Sequence, residues 1–253
     1  MAPVRQTAGG MTEMLLSLLG VTKTFGGVTA LNDVSLSVAS GQIGGIIGPN
    51  GAGKTTVFNV ITGALSVDLG QIVFRKRSLR GLKPYHIARL GIARTFQNIR
   101  LFESMTVQEH LLVAKARGAS GGEARQRAEE LITMLGLEAY RDRPAATLSY
   151  GLQRKVEIGR ALSAAPQLLL LDEPVAGMNE DESEELRHLL LRLKAQGLTI
   201  LVIEHDMPFV MRLCDYLYVL DFGSVIAAGP PESVRNDPAV IEAYVGQEAD
   251  AVG

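Results

Sequence analysis

The run Gly48-Pro49-Asn50-Gly51-Ala52-Gly53-Lys54-Thr55 narrows the possible folds of this chain more than any other feature. It meets every fixed position of G-x-x-x-x-G-K-[ST], a pattern tied to a strand, a tight loop and a helix that starts at the lysine. Glycines let the loop N–H groups turn inward, which a side chain at Gly51 or Gly53 would hinder. The ligand suited to such a loop is the phosphate tail of a purine nucleotide such as ATP. Lys54 would reach the β- and γ-phosphates and the Thr55 hydroxyl would coordinate Mg²⁺. Thr56 and the helix start would face the same anion. The apolar run 42–47 predicts the strand and 54–63 the helix. A dinucleotide loop is excluded, because its third glycine would fall on Thr56. One such loop, with no internal repeat, predicts one nucleotide-binding unit.

Around this loop, apolar runs alternate with helical patterns, which predicts an α/β core with a largely parallel sheet. Runs 15–22 and 28–38, split by Gly26-Gly27, read as an antiparallel layer, and 71–74 as a further strand. From about 84 to 162 the periodicity is helical, at 85–90, 106–116 and 123–135, and this stretch reads as an inserted helical subdomain. Strand patterns return at 167–171, 198–203 and 216–220. Between the first two of these, 181–196 carries acids first, bases late and Gly197 just beyond, the polarity of a helix aligned with its own dipole. One domain is expected over 14–247, with a disordered tail at 1–13 and a short one at 248–253. Met11 is a second candidate start.

Composition removes several classes. The formal net charge is −2, so no positive excess exists to bind a nucleic-acid backbone. The lone Cys214 forms no intrachain disulfide and fits a reducing, cytosolic compartment. No run approaches the roughly 20 apolar residues of a membrane span. The run 14–21 has only Arg5 as a positive residue before it and no small-residue cleavage site after it, so it reads as a strand rather than a leader core.

Two further clusters carry chemistry. Asp172 and Glu173 close the apolar run 168–171. There Asp172 would hold Mg²⁺ through water, and Glu173 would polarise an attacking water as general base. Leu148-Ser149-Tyr150-Gly151-Leu152-Gln153 precedes a helix expected over 154–164. This segment resembles the L-S-G-G-Q signature of ABC-type ATPases. Leu148, Ser149 and Gly151 match, Tyr150 replaces the first glycine, and Leu152 stands where glutamine is usual. A serine hydroxyl and a glycine N–H at a helix start suit a γ-phosphate; alone, Ser149 would read as a plain helix cap.

The resemblance spans about 15–247 and implies further roles. Gln97 corresponds to the glutamine that contacts Mg²⁺ or the water and senses the membrane partner. His205 corresponds to the switch histidine on the γ-phosphate, and Phe25 to the aromatic that stacks on adenine. His86, His110 and His188 read as satisfied surface groups. The segment 176–179 occupies the dimer-contact loop. The fold implied is a P-loop NTPase core with an antiparallel β subdomain and a helical insert. The assembly implied is head to tail, with each signature completing its partner's phosphate site. It includes two permeases and, indirectly, a periplasmic solute-binding protein, at the cytoplasmic face of the inner membrane.

The stretches 94–102, 173–179, 204–207 and 227–247 resemble the ATPases of bacterial branched-chain amino acid importers, which pair two related cassettes. Relatives that import urea, amides or other amino acids, and lipid exporters, share the same catalytic parts. A DNA-maintenance ATPase would need long heptads between Lys54 and Leu148, a translation factor two cassettes, and an excision-repair protein a cysteine-rich zinc module; none is present.

Overall fold

The computed structural model describes residues 13–114, 116 and 118–250, with 245–250 as backbone. The tail expected at 1–13 lies outside the described residues except for Glu13.

The first strands, β1 (Met14–Phe25) and β2 (Val28–Ala39), form an antiparallel hairpin through Gly26-Gly27. Next come β3 (Ile43–Ile47), α1 (Lys54–Ile61), β4 (Leu69–Phe74) and β5 (Arg77–Ser78). One sheet has the order β2-β1-β4-β5. The chain continues through α2 (Pro84–Arg89), β6 (Ile92–Arg94), α3 (Val107–Val113), α4 (Gly121–Leu135), α5 (Tyr150–Ser163), β7 (Leu168–Asp172) and α6 (Glu180–Ala195). It ends with β8 (Thr199–Ile203), α7 (Met207–Leu213), β9 (Tyr216–Asp221), β10 (Ser224–Gly229), α8 (Pro231–Arg235) and α9 (Pro238–Asp250). A second sheet has the order β10-β9-β3-β8-β7-β6, parallel except for the β9–β10 hairpin. Among the described residues no helix is long and apolar enough to cross a membrane.

The central strands β3, β7 and β8 are buried at every position. That explains why polar residues occur only at their ends, Thr199 at the start of β8 and Asp172 at the end of β7, since a parallel sheet is covered on both faces. Side chains along a strand alternate, so each strand divides between two cores. Ile43, Ile47, Leu169, Leu171, Ile200 and Val202 face the core built with α3 to α7. Ile46, Leu168, Leu170, Leu201 and Ile203 face the core built with β1, β2 and α1. The register pairs Ile46 with Ile203, and Ile203 with Asp172, so the carboxyl ends of β3, β8 and β7 are level. In an open α/β sheet, ligands bind at that edge. Gly48, Glu204 and Glu173 each follow one of these strand ends.

The stretch read as helical from about 84 opens with α2 but is interrupted by the strand β6. β6 pairs parallel with β7, and Ile87 of α2 and Ile92 of β6 pack in the core beside α1. A three-residue strand is too short to show a period of two, and it hid inside the helical pattern. The bundle of α3, α4 and α5 is close-packed at Gly159, where a Cβ would lie 2.6 Å from Leu135 Cδ1. The expected tail at 248–253 is partly helical: 248–250 extend α9, and 251–253 lie outside the described residues.

His110 corrects its reading as a surface group. It is 0% exposed. The Phe102 N–H donates to its Nε2 at 2.9 Å, so Nδ1 carries the proton and donates to Thr106 O at 2.9 Å. Burial pushes its pKa below the ordinary histidine value. Helix α3 turns it inward from the capping box of Thr106 and Glu109.

Candidate nucleotide site

The loop after β3 leaves no alternative to glycine at two places. A Cβ on Gly48 would stand 2.0 Å from Leu220 O, and one on Gly53 2.5 Å from Ala30 O. Gly53 also holds φ +100, as the left-handed cap of α1. Gly51 differs from the expectation of a steric conflict: nothing lies within 4 Å of its Cβ position, and its φ of +81 is what requires glycine. Pro49 and Ala52 are buried and the Ala52 N–H donates to Pro49 O at 3.2 Å, while Asn50, Gly51 and Thr55 are exposed and Thr56 is half-buried. No side chain caps the start of α1. Its first N–H groups are therefore left without a side-chain partner, and with the helix dipole they favour an anion.

Lys54 is 7% exposed and donates through Nζ to Gly48 O at 2.6 Å and Pro49 O at 2.8 Å. Burial lowers its pKa, and the negative charges of Glu173 and Asp172 oppose that shift. The lysine is therefore held at the mouth of the loop, within the field of both acids.

Asp172 is 3% exposed. Its Oδ2 accepts from Arg94 Nη2 at 2.7 Å, and Arg94 Nη1 donates to Asn59 Oδ1 at 2.7 Å. The Arg94 guanidinium lies 5.4 Å from the Phe58 ring centre and 5.1 Å from that of Phe96. Sequence reasoning did not assign Arg94 to the site; a single arginine beside Thr95-Phe96-Gln97 carries no spacing signal of its own.

Glu173 has φ +46, the left-handed region that a side chain occupies at a cost of about 1–3 kcal/mol. Its N–H donates to Ile203 O at 2.9 Å. Its Oε2 accepts from Gln97 Nε2 at 2.7 Å, and His205 Nδ1 is 3.9 Å from the same oxygen. Two of the residues singled out from sequence, Gln97 and His205, thus converge on the carboxylate of a third, Glu173. Beneath them lies Glu204, 0% exposed, which was not anticipated. Its Oε1 accepts from the Val175 N–H at 2.9 Å and its Oε2 from the His205 N–H at 3.1 Å. Burial raises its pKa. An acid breaking the apolar run before His205 was the signal available.

Ser149 is the exposed N-cap of α5, but its side chain makes no capping bond. Gly151 is buried, and a Cβ there would stand 2.7 Å from Glu182 Oε1. Leu152 is half-buried against the helical core, while Gln153 Nε2 turns back to Leu148 O at 2.9 Å. Neither residue presents a glutamine amide at the start of the helix. Asn179 is tied down as the cap of α6, in a capping box with Glu182. Phe25 is 43% exposed at the tip of the β1–β2 hairpin, with Lys23 Nζ 5.3 Å from its ring centre. Among the described residues, no hydrogen bond or ion pair joins Ser149 or Gly151 to the phosphate loop of the same chain.

The family described as ABC transporter matches residues 31–176, which hold the phosphate loop, Gln97, the Ser149 segment and both acids. The chain is an ABC transporter ATP-binding cassette. Residues 224–250 also match the family described as branched-chain amino acid ATP-binding cassette transporter. The cassette is similar to the high-affinity branched-chain amino acid transport ATP-binding protein LivG of Escherichia coli K12, at 43% identity over 94% of this chain and 100% of that one. It is 41% identical to BraF of Pseudomonas aeruginosa PAO1, over the same shares of the two chains. Among solved structures, the ADP conformation of the ATP-binding cassette MJ1267 superposes with a TM-score of 0.85 at 37% identity, covering 93% of this chain and 100% of that one. A dimeric post-hydrolysis cassette, MJ0796 with ADP and phosphate, gives 0.76 at 29% identity over 85% and 98%. The cassette is accordingly a nucleotide-binding ATPase of the ABC type.

Proposed function

We propose that the cassette hydrolyses ATP to power import of branched-chain amino acids. The observation that carries the catalytic reading is the convergence of Gln97 and His205 on Glu173, level with the Lys54 loop on the carboxyl edge of the sheet. The solute follows from the likeness to LivG and BraF and from the match of 224–250.

In this mechanism Lys54 exchanges its loop carbonyls for the β- and γ-phosphate oxygens, and the open start of α1 receives the same charge. Thr55 and Asp172 are hard oxygen donors that fit Mg²⁺. With Oδ2 held by Arg94, Asp172 would act through Oδ1 and a water. Bound Mg²⁺ supplies charge neutralisation across the phosphates. Glu173 polarises the attacking water. Gln97 donates its amide N–H to Glu173, which leaves its Oε1 to accept from that water or to meet the metal. His205 donates to the γ-phosphate, and Phe25 stacks on the adenine. The exposed Ser149 and the Gly151 N–H serve the nucleotide of a second cassette packed head to tail.

A groove of about 560 Å³, lined by Ile87, Phe96, Phe102, Val113 and Ala161 among others, lies beside the Gln97 loop. A short helix of a permease would dock there. The complete assembly comprises two cassettes, two permeases and a periplasmic solute-binding protein, with the cassettes on the cytoplasmic face of the inner membrane.

The test is Glu173→Gln in the assembled transporter, with leucine-loaded binding protein added. Losing a general base lowers turnover about 10²- to 10⁴-fold while ATP still binds. Turnover close to that of the unaltered protein would remove Glu173 from its role. An unaltered transporter that leucine does not stimulate would remove the solute assignment.

A further inference from the structure

Tyr150, where the signature pattern has glycine, sits at a junction. Its hydroxyl is 3.1 Å from Arg154 Nη2, and its ring centre lies 5.8 Å from the guanidinium carbon. The ring also lies beside the segment after Glu173, where a Cβ added to Gly177 would be 3.5 Å from Tyr150 Cε1. Arg154 itself is 0% exposed. Its Nη2 donates to Gln97 O at 2.9 Å, and its Nη1 donates to Phe96 O at 2.8 Å and to Glu157 Oε2 at 2.7 Å. Glu157 is 1% exposed, and its other carboxylate oxygen, Oε1, makes no hydrogen bond and lies 4.0 Å from Arg160 Nη2.

A guanidinium taken wholly out of water carries a desolvation penalty that only its acceptors offset. Its planar fork also fixes where those acceptors stand. Here the acceptors are the two carbonyls that flank the Gln97 Cα, those of Phe96 and of Gln97 itself, with one carboxylate and one phenol. The backbone of Gln97 therefore cannot shift relative to α5 without stripping charged hydrogen bonds from a buried cation. At the far end of the same residue, the Gln97 amide holds Glu173.

We infer that Tyr150, Arg154 and Glu157 form a latch that ties the Ser149 end of α5 to the aim of the Gln97 side chain, and through it to Glu173. All three are positioning residues; none is assigned a contact with nucleotide. Tyr150 is the member placed to sense both neighbours, because its ring lies beside Gly177 and its hydroxyl accepts from Arg154. The latch rests on the proposed ATPase mechanism and deepens it, explaining how a second cassette engaging Ser149 would be felt at the attacking water.

The experiment is a double-mutant cycle on the assembled transporter, comparing Tyr150→Phe, Gln97→Ala and the pair, with kcat, KM and nucleotide affinity measured for each. Removing a hydroxyl from a charged hydrogen bond predicts a roughly tenfold fall in kcat for Tyr150→Phe, at unchanged nucleotide affinity. If Tyr150 acts through Gln97, the double variant is no slower than Gln97→Ala alone. Effects that multiply overturn the latch, as does a Tyr150→Phe enzyme within twofold of the unaltered kcat. Arg154→Lys keeps the charge and loses the fork, and should match Tyr150→Phe in the same cycle. Because Arg154 is wholly buried and that variant can fail to fold, the partly exposed Tyr150 carries the decision. Failure of the underlying mechanism looks different: Glu173→Gln and Gln97→Ala would then each leave turnover near that of the unaltered transporter.

Discussion

Replacing Arg94 by methionine isolates the ion pair on which the placement of Asp172 depends. The side chains of Arg94 and Asp172 are 9% and 4% exposed, and their contact is 2.7 Å. Methionine keeps much of the packing volume between Phe58 and Phe96 but leaves a buried carboxylate without its counter-charge. Breaking one side of a buried pair costs about 3–5 kcal/mol. Loss of the two aromatic contacts adds about 0.5–1 kcal/mol each. Together these come to about 4–7 kcal/mol; the charge of Lys54, whose own pKa feels Asp172, offsets roughly 1–3 kcal/mol at an effective dielectric constant of about 20, so a net loss of about 3–4 kcal/mol is expected. In a chain of this size each kcal/mol moves Tm by about 2–4 °C, so Tm should drop by roughly 6–16 °C. The assay is urea and thermal unfolding of nucleotide-free protein, alone and with Asp172→Asn added. Asp172→Asn removes the stranded charge, so the double variant should regain about half of the lost stability. A loss below about 1 kcal/mol for Arg94→Met would show that water screens the pair, as at a surface, and would refute the reasoning.

Two other outcomes follow from geometry and burial. Gly53→Ala places a methyl 2.5 Å from Ala30 O at φ +100, so binding of a fluorescent ATP analogue should be lost or weakened at least about 100-fold, and the protein destabilised by more than about 1 kcal/mol. His110 has a folded pKa below its unfolded value of about 6.5, so below that pH the unfolded state takes up a proton that the folded state does not. Stability should therefore fall as pH drops from about 6.5 toward the lowered folded value, by up to about 1.4 kcal/mol per pH unit. His110→Gln should flatten the urea-derived stability in that window; an unchanged slope would assign the effect to another group.

Much of the core sheet is legible in the order of residues. The runs ending at Ile47, Leu171 and Ile203 read as strands buried on both faces, because their polar residues (Gln42, Gln167 and Thr199) fall only in the first two positions. Helix α6 is legible from its charge order, and the structure adds the Asn179 cap that starts it. Less visible are β6, too short for a pattern, and β10, whose pairing with β9 is a property of the hairpin. His110 misled because one polar residue in a helical stripe says nothing about whether partners await it inside.

The nucleotide loop is legible in the sequence because much of its conformation is imposed within a few bonds: φ angles only glycine tolerates, and a lysine placed where the helix begins; the backbone of Leu220 and Ala30 that crowds Gly48 and Gly53 is supplied by the fold. Adjacent acids after an apolar run are legible for the same local reason. What sequence could not decide were contacts between residues remote along the chain. Arg94 on Asp172, Glu204 beneath Val175 and His205, and Arg154 clasping the Gln97 backbone exist because the sheet register brings strand ends level and packs α5 against the loop after β6. Burial then makes each of these pairings count, since a charge removed from water must be answered by whatever the tertiary fold places beside it.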